Sequence, residues 1–262
     1  MKPVLCGIDL GSRSVKIVLM ADDKITTEKT LETVDFYRDY GRRQGDAFAV
    51  DFAALGLGAV DAVVATGYGR NTLAIAGAAV IPELKAHLLG AVWQTGLTDF
   101  TLLDLGGQDS KVIKVRRGKM VDFQTNDKCA ASTGRYLENM AAVLAISLDE
   151  LSRHRDNPAE LSATCAIFGE SELIGRIVEG YSTAELAAGV NYTIFKRVRP
   201  MLAALASPTV VFTGGVAFGE ALPRIIEKEL GVSVVVPERP QLNGAIGCAV
   251  HAKALWQKKA GC

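Results

Sequence analysis

Neither sign of charge is in excess in this chain. Lys plus Arg and Asp plus Glu number 29 each in 262 residues, so no net field draws it to nucleic acid or to an acidic membrane surface. A run of about 18 apolar residues is absent too, which argues against a membrane-spanning helix. No G-x-x-x-x-G-K-S/T phosphate loop occurs. Histidines number only three and cysteines five. The odd cysteine count argues against a disulfide framework, and Met1 to Asp9 reads as a strand rather than a signal peptide. The expectation is a cytoplasmic protein with reduced thiols. The rest is 49% hydrophobic with 26 glycines, long enough to bury one large core or two small ones.

Two short stretches carry distinctive chemistry. Asn126-Asp127-Lys128-Cys129-Ala130-Ala131-Ser132-Thr133-Gly134 precedes Tyr136, Leu137, Met140 and Leu144 at helical spacing. Thr164-Cys165-Ala166 precedes Leu173, Ile174, Ile177 and Val178 in the same way. Each cysteine therefore stands at or just before a helix N-terminus, where orphan N–H groups and the helix dipole favour a thiolate. An iron–sulfur cluster usually takes four thiolates. One chain offers two such sites, and a second copy related by a two-fold axis supplies the others. Cys6 in a strand and Cys248 in the closing helix have apolar neighbours and read as core thiols. Cys262 is terminal. Glu170 and Glu172 read as helix-capping acids.

Along the chain, Val4–Asp9, Val15–Met20 and Lys24–Val34 read as strands, with the turn Gly11-Ser12-Arg13-Ser14 between the first two and Lys16 just beyond it. Thr33 to Val50 is poorly patterned. Val60–Ala65 is a further strand, followed by a glycine-punctuated turn and a helix from about Leu84 to Trp93, on which His87 reads as solvated or capping. Phe100–Leu105, Val112–Val115 and Met120–Gln124 then repeat the opening arrangement about 95 residues on. Again a strand ends in an aspartate, Asp104, and runs through a glycine turn into a second strand. Such a turn can wrap phosphate oxygens with N–H groups and hydroxyls. Two such hairpins facing one another would pinch a nucleotide's phosphates, with Asp9 and Asp104 holding Mg²⁺ through water. Ser147–Ser162 reads as a short helix and a polar connection, and Thr183–Ala206 as one long helix or two short ones. Pro200 is a site for a kink there, and Lys196, Arg197 and Arg199 lie on a solvated face. Thr209–Phe212 is a strand, Leu222–Leu230 a helix, Val232–Val236 a strand, Pro237–Asn243 a loop and Gly244–Trp256 a closing helix. The order indicates a mixed α/β protein with two related lobes.

Asp9-x-Gly11, Asp104-x-Gly106-Gly107 and Thr213-Gly214-Gly215, in this order, resemble the two phosphate loops and the adenosine loop of the actin, Hsp70 and sugar-kinase ATPases. Ala65-Thr66-Gly67-Tyr68-Gly69-Arg70-Asn71, Leu105-Gly106-Gly107-Gln108-Asp109, Asn243-Gly244-Ala245-Ile246-Gly247 and the two cysteine segments narrow the likeness. With them, essentially the whole chain resembles the BadF/BadG/BcrA/BcrD ATPase family, closest to the activators of 2-hydroxyacyl-CoA dehydratases. The resemblance implies two ribonuclease H-like lobes around a nucleotide cleft. They comprise residues 1–97 and 98–262, with the last helix free to pack back on the first lobe.

It also implies a homodimer bridged by one shared [4Fe-4S] cluster on Cys129 and Cys165, with an ATP/ADP and Mg²⁺ site in each subunit. Asp9 and Asp104 would organise the Mg²⁺, and Gln108 would position the attacking water. Gly11, Ser12, Arg13, Ser14, Lys16, Gly106, Gly107, Gly134, Gly214, Gly215 and Gln241 would line the nucleotide. The implied electron acceptor is an iron–sulfur dehydratase or reductase, and the implied donor ferredoxin or flavodoxin. Three departures stand out: Arg13 replaces a small hydroxyl residue, Ser132 replaces a glycine, and the segment from Cys165 reads Cys-Ala-Ile-Phe-Gly-Glu for Cys-Thr-Val-Phe-Ala-Glu. None removes a ligand.

The energetics favour a machine over a static relay. At 59 mV per tenfold for one electron, a lift of about 300 mV costs about 7 kcal/mol. No single hydrogen bond supplies that, but a nucleotide that reorients the cysteine helices can. Rival readings are a small-molecule kinase of the same superfamily, a benzoyl-CoA reductase ATPase subunit, and a cluster-binding scaffold without electron transfer.

Overall fold

The computed structural model describes residues 2–45, 47–67, 74–126, 133–162, 166–259 and 261. The chain parts into two units, Met1–Leu97 together with Gln241–Cys262, and Thr98–Pro240. The closing segment thus belongs with the first unit.

In the first unit, β1 (Leu5–Leu10), β2 (Ser14–Ala21) and β3 (Lys24–Glu32) form an antiparallel meander, and β6 (Ala62–Gly67) and β8 (Ala79–Val80) extend it in parallel on the far side of β1. β1 is buried throughout, because both faces of the sheet are covered. Alternation along it sends Cys6, Ile8 and Leu10 to one cluster with Val15, Ile17 and Phe36, and Leu5 to another with Val64, Ala86 and Cys248. Phe36 comes from α1 (Thr33–Asp39), and Phe48 beside it from β5 (Ala47–Val50), which pairs with β4 (Gly41–Gln44) and β7 (Ala74–Ile75) in a small second sheet. The unpatterned stretch after Thr33 is therefore ordered. Its elements are too short to show a period, and Phe36 and Phe48 anchor them.

The other face is covered by α2 (Glu83–Thr95) and α8 (Asn243–Lys259). Backbone approaches backbone here. A Cβ on Gly7 would lie 2.0 Å from the Ala245 carbonyl oxygen, and one on Gly247 would lie 1.8 Å from that of Ala86. His87 corrects the sequence reading: it is 6% exposed, because α8 lies over its face of α2. Asn243 donates through Nδ2 to the His87 carbonyl oxygen at 2.9 Å and receives a hydrogen bond from Gln94 at 3.0 Å.

Cys6 and Cys248 lie in clusters on opposite faces of the sheet, each surrounded by apolar side chains. Burial pushes the Cys6 thiol up to about 12, and burial followed by the Asp9 charge raises Cys248 well above the ordinary thiol range. The thiolate is the nucleophile, so iodoacetamide at pH 8 will leave both unmodified in the folded protein and label them only in denaturant. Peptide mass mapping checks this; native labelling of either would contradict the packing.

The second unit repeats the plan. β9 (Phe100–Leu105), β10 (Ser110–Arg116) and β11 (Lys119–Asn126) form the meander, and β12 (Thr209–Thr213) and β13 (Ser233–Val235) add in parallel beyond β9. Its helices are α3 (Gly134–Val143), α4 (Leu148–Leu151), α5 (Ala166–Val178), α6 (Thr183–Ala204) and α7 (Ala221–Leu230). α6 is one 22-residue helix opened by a capping box at Ser182 and Glu185, with Pro200 inside its last turns. Arg197 is not on a solvated face. Its guanidinium lies 4.8 Å from the centroid of the buried Tyr136 ring on α3. Gly169 of α5 meets the same helix, where an added Cβ would stand 3.6 Å from Tyr136 and Met140. α3, α5 and α6 are thus packed together. Among the described residues no helix is long and apolar enough to cross a membrane.

Candidate functional site

Each sheet turns the same corner with an aspartate and a lysine as cross-strand partners. In the first unit Asp9, one residue before the end of β1, is cross-strand partner of Lys16 on β2, with Lys16 Nζ 3.9 Å from Asp9 Oδ2. A Cβ on Gly11 would sit 2.7 Å from the Ser14 carbonyl oxygen and 2.9 Å from that ammonium, so the turn closes tightly only over glycine. The turn is pinned from behind by the start of α1: Thr33 donates through Oγ1 to the Gly11 carbonyl at 2.8 Å and through N to the Arg13 carbonyl at 3.1 Å. Ser14 is buried, while Ser12 and Arg13 are exposed.

In the second unit Asp104, one residue before the end of β9, lies opposite Lys111 on β10. Here the lysine is claimed: Nζ is 2.6 Å from Asp109 Oδ2 and 3.7 Å from Asp104 Oδ2. Thr213, at the end of β12, donates to Asp104 Oδ1 at 2.8 Å. Gly106 donates to the Asp109 carbonyl at 3.0 Å, which tightens the turn, and Gln108 is half-buried beside it. The turn's own carbonyls then accept from a helix. Gly134 N–H donates to Gly106 O at 2.9 Å and Arg135 N–H to Gly107 O at 3.2 Å, so α3 starts on this hairpin.

Gly214 follows β12 at φ +89, and a Cβ there would lie 2.2 Å from the Leu105 carbonyl oxygen, so the position requires glycine. Gly215 opens a short 3-10 helix, Gly215–Phe218, and Gln241 sits half-buried in another, Pro240–Leu242, inside the stretch expected as loop.

The structure therefore gathers Asp9, Gly11, Ser12, Arg13, Ser14 and Lys16 in one hairpin. It gathers Asp104, Gly106, Gly107, Gln108, Gly134, Gly214 and Gly215 around the other. Cys129, Cys165 and the Tyr68–Asn71 part of the glycine-rich turn lie outside the described residues. Thr33, Asp109, Lys111 and Thr213 were not singled out as site residues. A signal existed for Lys111, because the spacing Asp-x-Gly-x-x-x-x-Lys occurs at both hairpins.

The two aspartates differ. Each has a lysine ammonium just under 4 Å from one oxygen, but the other oxygen of Asp104 accepts from Thr213, whereas Asp9, 5% exposed, has an Oδ1 buried with no hydrogen-bond partner. A buried, unanswered carboxylate oxygen costs stability unless something binds it. A water in the shell of Mg²⁺ fits that oxygen, and the Lys16 ammonium fits a phosphate.

Residues 6–252 match the BadF/BadG/BcrA/BcrD ATPase family. The chain is 35% identical over 252 residues to the (R)-2-hydroxyglutaryl-CoA dehydratase activating ATPase of Acidaminococcus fermentans, covering 94% of this chain and 95% of that one. The structure of the activator of the 2-hydroxyisocaproyl-CoA dehydratase from Clostridium difficile with bound ADPNP superposes with a TM-score of 0.86 at 30% identity, covering 98% of this chain and 97% of that one. A ROK family glucokinase from Streptomyces griseus shares the fold at a TM-score of 0.59 and 14% identity, over 96% of this chain and 99% of its own. The architecture is that of the actin and sugar-kinase ATPases, and the chain belongs to the BadF/BadG/BcrA/BcrD ATPase family.

Proposed function

We propose that this protein is an ATP-driven activator that delivers single low-potential electrons to a partner iron–sulfur enzyme, such as a 2-hydroxyacyl-CoA dehydratase. The observation that carries the reading is the pair of hydrogen bonds from the N-terminus of α3 to the Gly106–Gly107 turn. They tie a phosphate hairpin to the helix that follows Cys129. A change in that turn between nucleotide states is passed to α3, and through the Tyr136 and Met140 contacts of Gly169 to α5, which begins one residue after Cys165.

Lys16, Ser12 and the glycine turns bind the phosphates in this reading. Asp9 orients the Mg²⁺ waters, Asp104 is held ready by Thr213 and Lys111, and Gln108 orients the attacking water. Gly214, Gly215 and Gln241 take the adenosine side. Cys129 and Cys165 would hold a [4Fe-4S] cluster together with the same pair from a second copy; that group supplies one-electron chemistry. Support for a second copy comes from α5, whose Phe168, Ile174, Ile177 and Val178 are 71%, 51%, 46% and 84% exposed. The donor is a ferredoxin or flavodoxin, and a benzoyl-CoA reductase is an alternative acceptor. The proposed setting is the cytoplasm of an anaerobe.

Anoxic purification with iron and sulfide assay, visible spectrum and mass in solution tests this. The expected result is about four irons per dimer, lost in Cys129→Ser and in Cys165→Ser. An iron-free monomer with intact ATPase activity would sink the electron-transfer reading and direct attention to phosphoryl acceptors.

A further inference from the structure

The two hairpins have the same backbone register and the same Asp–Lys cross-strand pair, yet they are charged differently. Where Ser14 stands in the first turn, the second has Asp109. The first hairpin therefore pairs one lysine with one aspartate, at 3.9 Å, too long for a hydrogen bond. The second sets one lysine against two carboxylates, and the shorter contact, 2.6 Å, goes to Asp109 rather than to Asp104. Lys111 is 4% exposed, so its ammonium is enclosed among these groups.

We propose that Lys111 is a positioning residue and not a phosphate ligand. Clasped by Asp109, it steadies Asp104 and cancels one of the two negative charges of the second hairpin, leaving the direct phosphate contact to Lys16. Without it the two carboxylates would face an anionic nucleotide with one counter-charge fewer. The fold has used one lysine position twice, once toward ligand and once toward the protein's own acids. This rests on the MgATP site proposed above.

A double-mutant cycle on the full-length protein, with MgADP affinity measured by calorimetry, separates the roles. Lys111→Met is expected to weaken MgADP roughly tenfold by exposing its phosphates to two unbalanced carboxylates. Lys111→Met combined with Asp109→Asn, which removes both charges and keeps Thr213 on Asp104, is expected to return the affinity to within about threefold of wild type. A direct phosphate ligand would behave otherwise, because the double variant would then bind as weakly as the single one. That result, or a single variant with unchanged affinity, overturns the proposal. Should Lys111→Met fail to fold, the charge-neutral double variant decides alone: affinity within threefold supports positioning and a tenfold loss refutes it. Wild-type protein that binds no MgADP would instead remove the nucleotide reading itself, and the Lys111 role with it.

Discussion

Asp9→Asn is expected to lower Mg²⁺-dependent ATP hydrolysis by roughly a hundredfold or more, while the protein melts at no lower temperature than wild type. The substitution keeps the shape of the side chain and removes its charge. In the folded chain that charge is nearly enclosed, and its Oδ1 is unpartnered, so neutralising it relieves a desolvation cost. Lys16 loses its carboxylate neighbour and holds phosphate at least as well, so affinity for metal-free nucleotide is expected not to fall. Loss of turnover without loss of stability marks a residue kept in a costly state for function. Asp104→Asn is different. It replaces the charged acceptor of the buried Thr213 hydroxyl with an amide, so it lowers melting temperature as well as turnover. Calorimetric melting beside a phosphate-release assay distinguishes the two. Equal destabilisation by both variants, or an Asp9→Asn protein that still hydrolyses at the wild-type rate, would refute the assignment of Asp9 to the metal.

Much of this site is legible in the sequence because its determinants are local. A strand ending in aspartate, a glycine turn and a second strand is a pattern of about a dozen residues, and seeing it twice suggests two related lobes before any contact is known. Asp9, Gly11, Asp104 and Gly106 fall where that pattern puts them. What escaped reading depends on distant segments. His87 looks like an ordinary polar residue on a short helix until Asn243, 156 positions away, closes over it. Arg197 sits in a basic run that suggests solvent, and only the packing of α3 against α6 supplies the Tyr136 ring beneath it. Thr33 to Val50 has no detectable period because α1 spans seven residues and β4 and β5 four each. Lys111 was visible as a letter but not as a role. Its choice of Asp109 over a ligand is a matter of side-chain reach within one turn, which spacing alone does not encode. The hydrogen bonds from α3 to the second hairpin are of the same kind: the motif marks Gly134 as a nucleotide-site glycine, and only the fold shows that its amide donates to the Gly106 carbonyl.

Those two hydrogen bonds suggest a variant that cuts the proposed transmission at the first turn of α3. Gly134 is the first residue of α3, a position where proline is favoured because its φ suits the helix and its missing N–H is one of the orphans. Thr133 before it is extended, at φ −134 and ψ 176, as a residue preceding proline should be. An added Cβ would make only ordinary contacts, none closer than 3.5 Å. Gly134→Pro therefore deletes the bond to Gly106 O and puts the ring Cδ where the hydrogen pointed, which pushes the start of α3 off the turn, and Gly134→Ala is the control that keeps the N–H. For the cluster-loaded dimer proposed above, the expected readout is the rate at which a chelator removes iron with and without MgATP. Coupling of this kind is of the order of tenfold; it is expected to persist in Gly134→Ala and to fall to within about twofold in Gly134→Pro. Delivery of electrons to the acceptor enzyme should fall in parallel. A proline variant whose iron responds to MgATP as strongly as the alanine variant would show that the signal reaches α3 by another route. The hairpin-to-helix contact would then be a structural seam and not the lever.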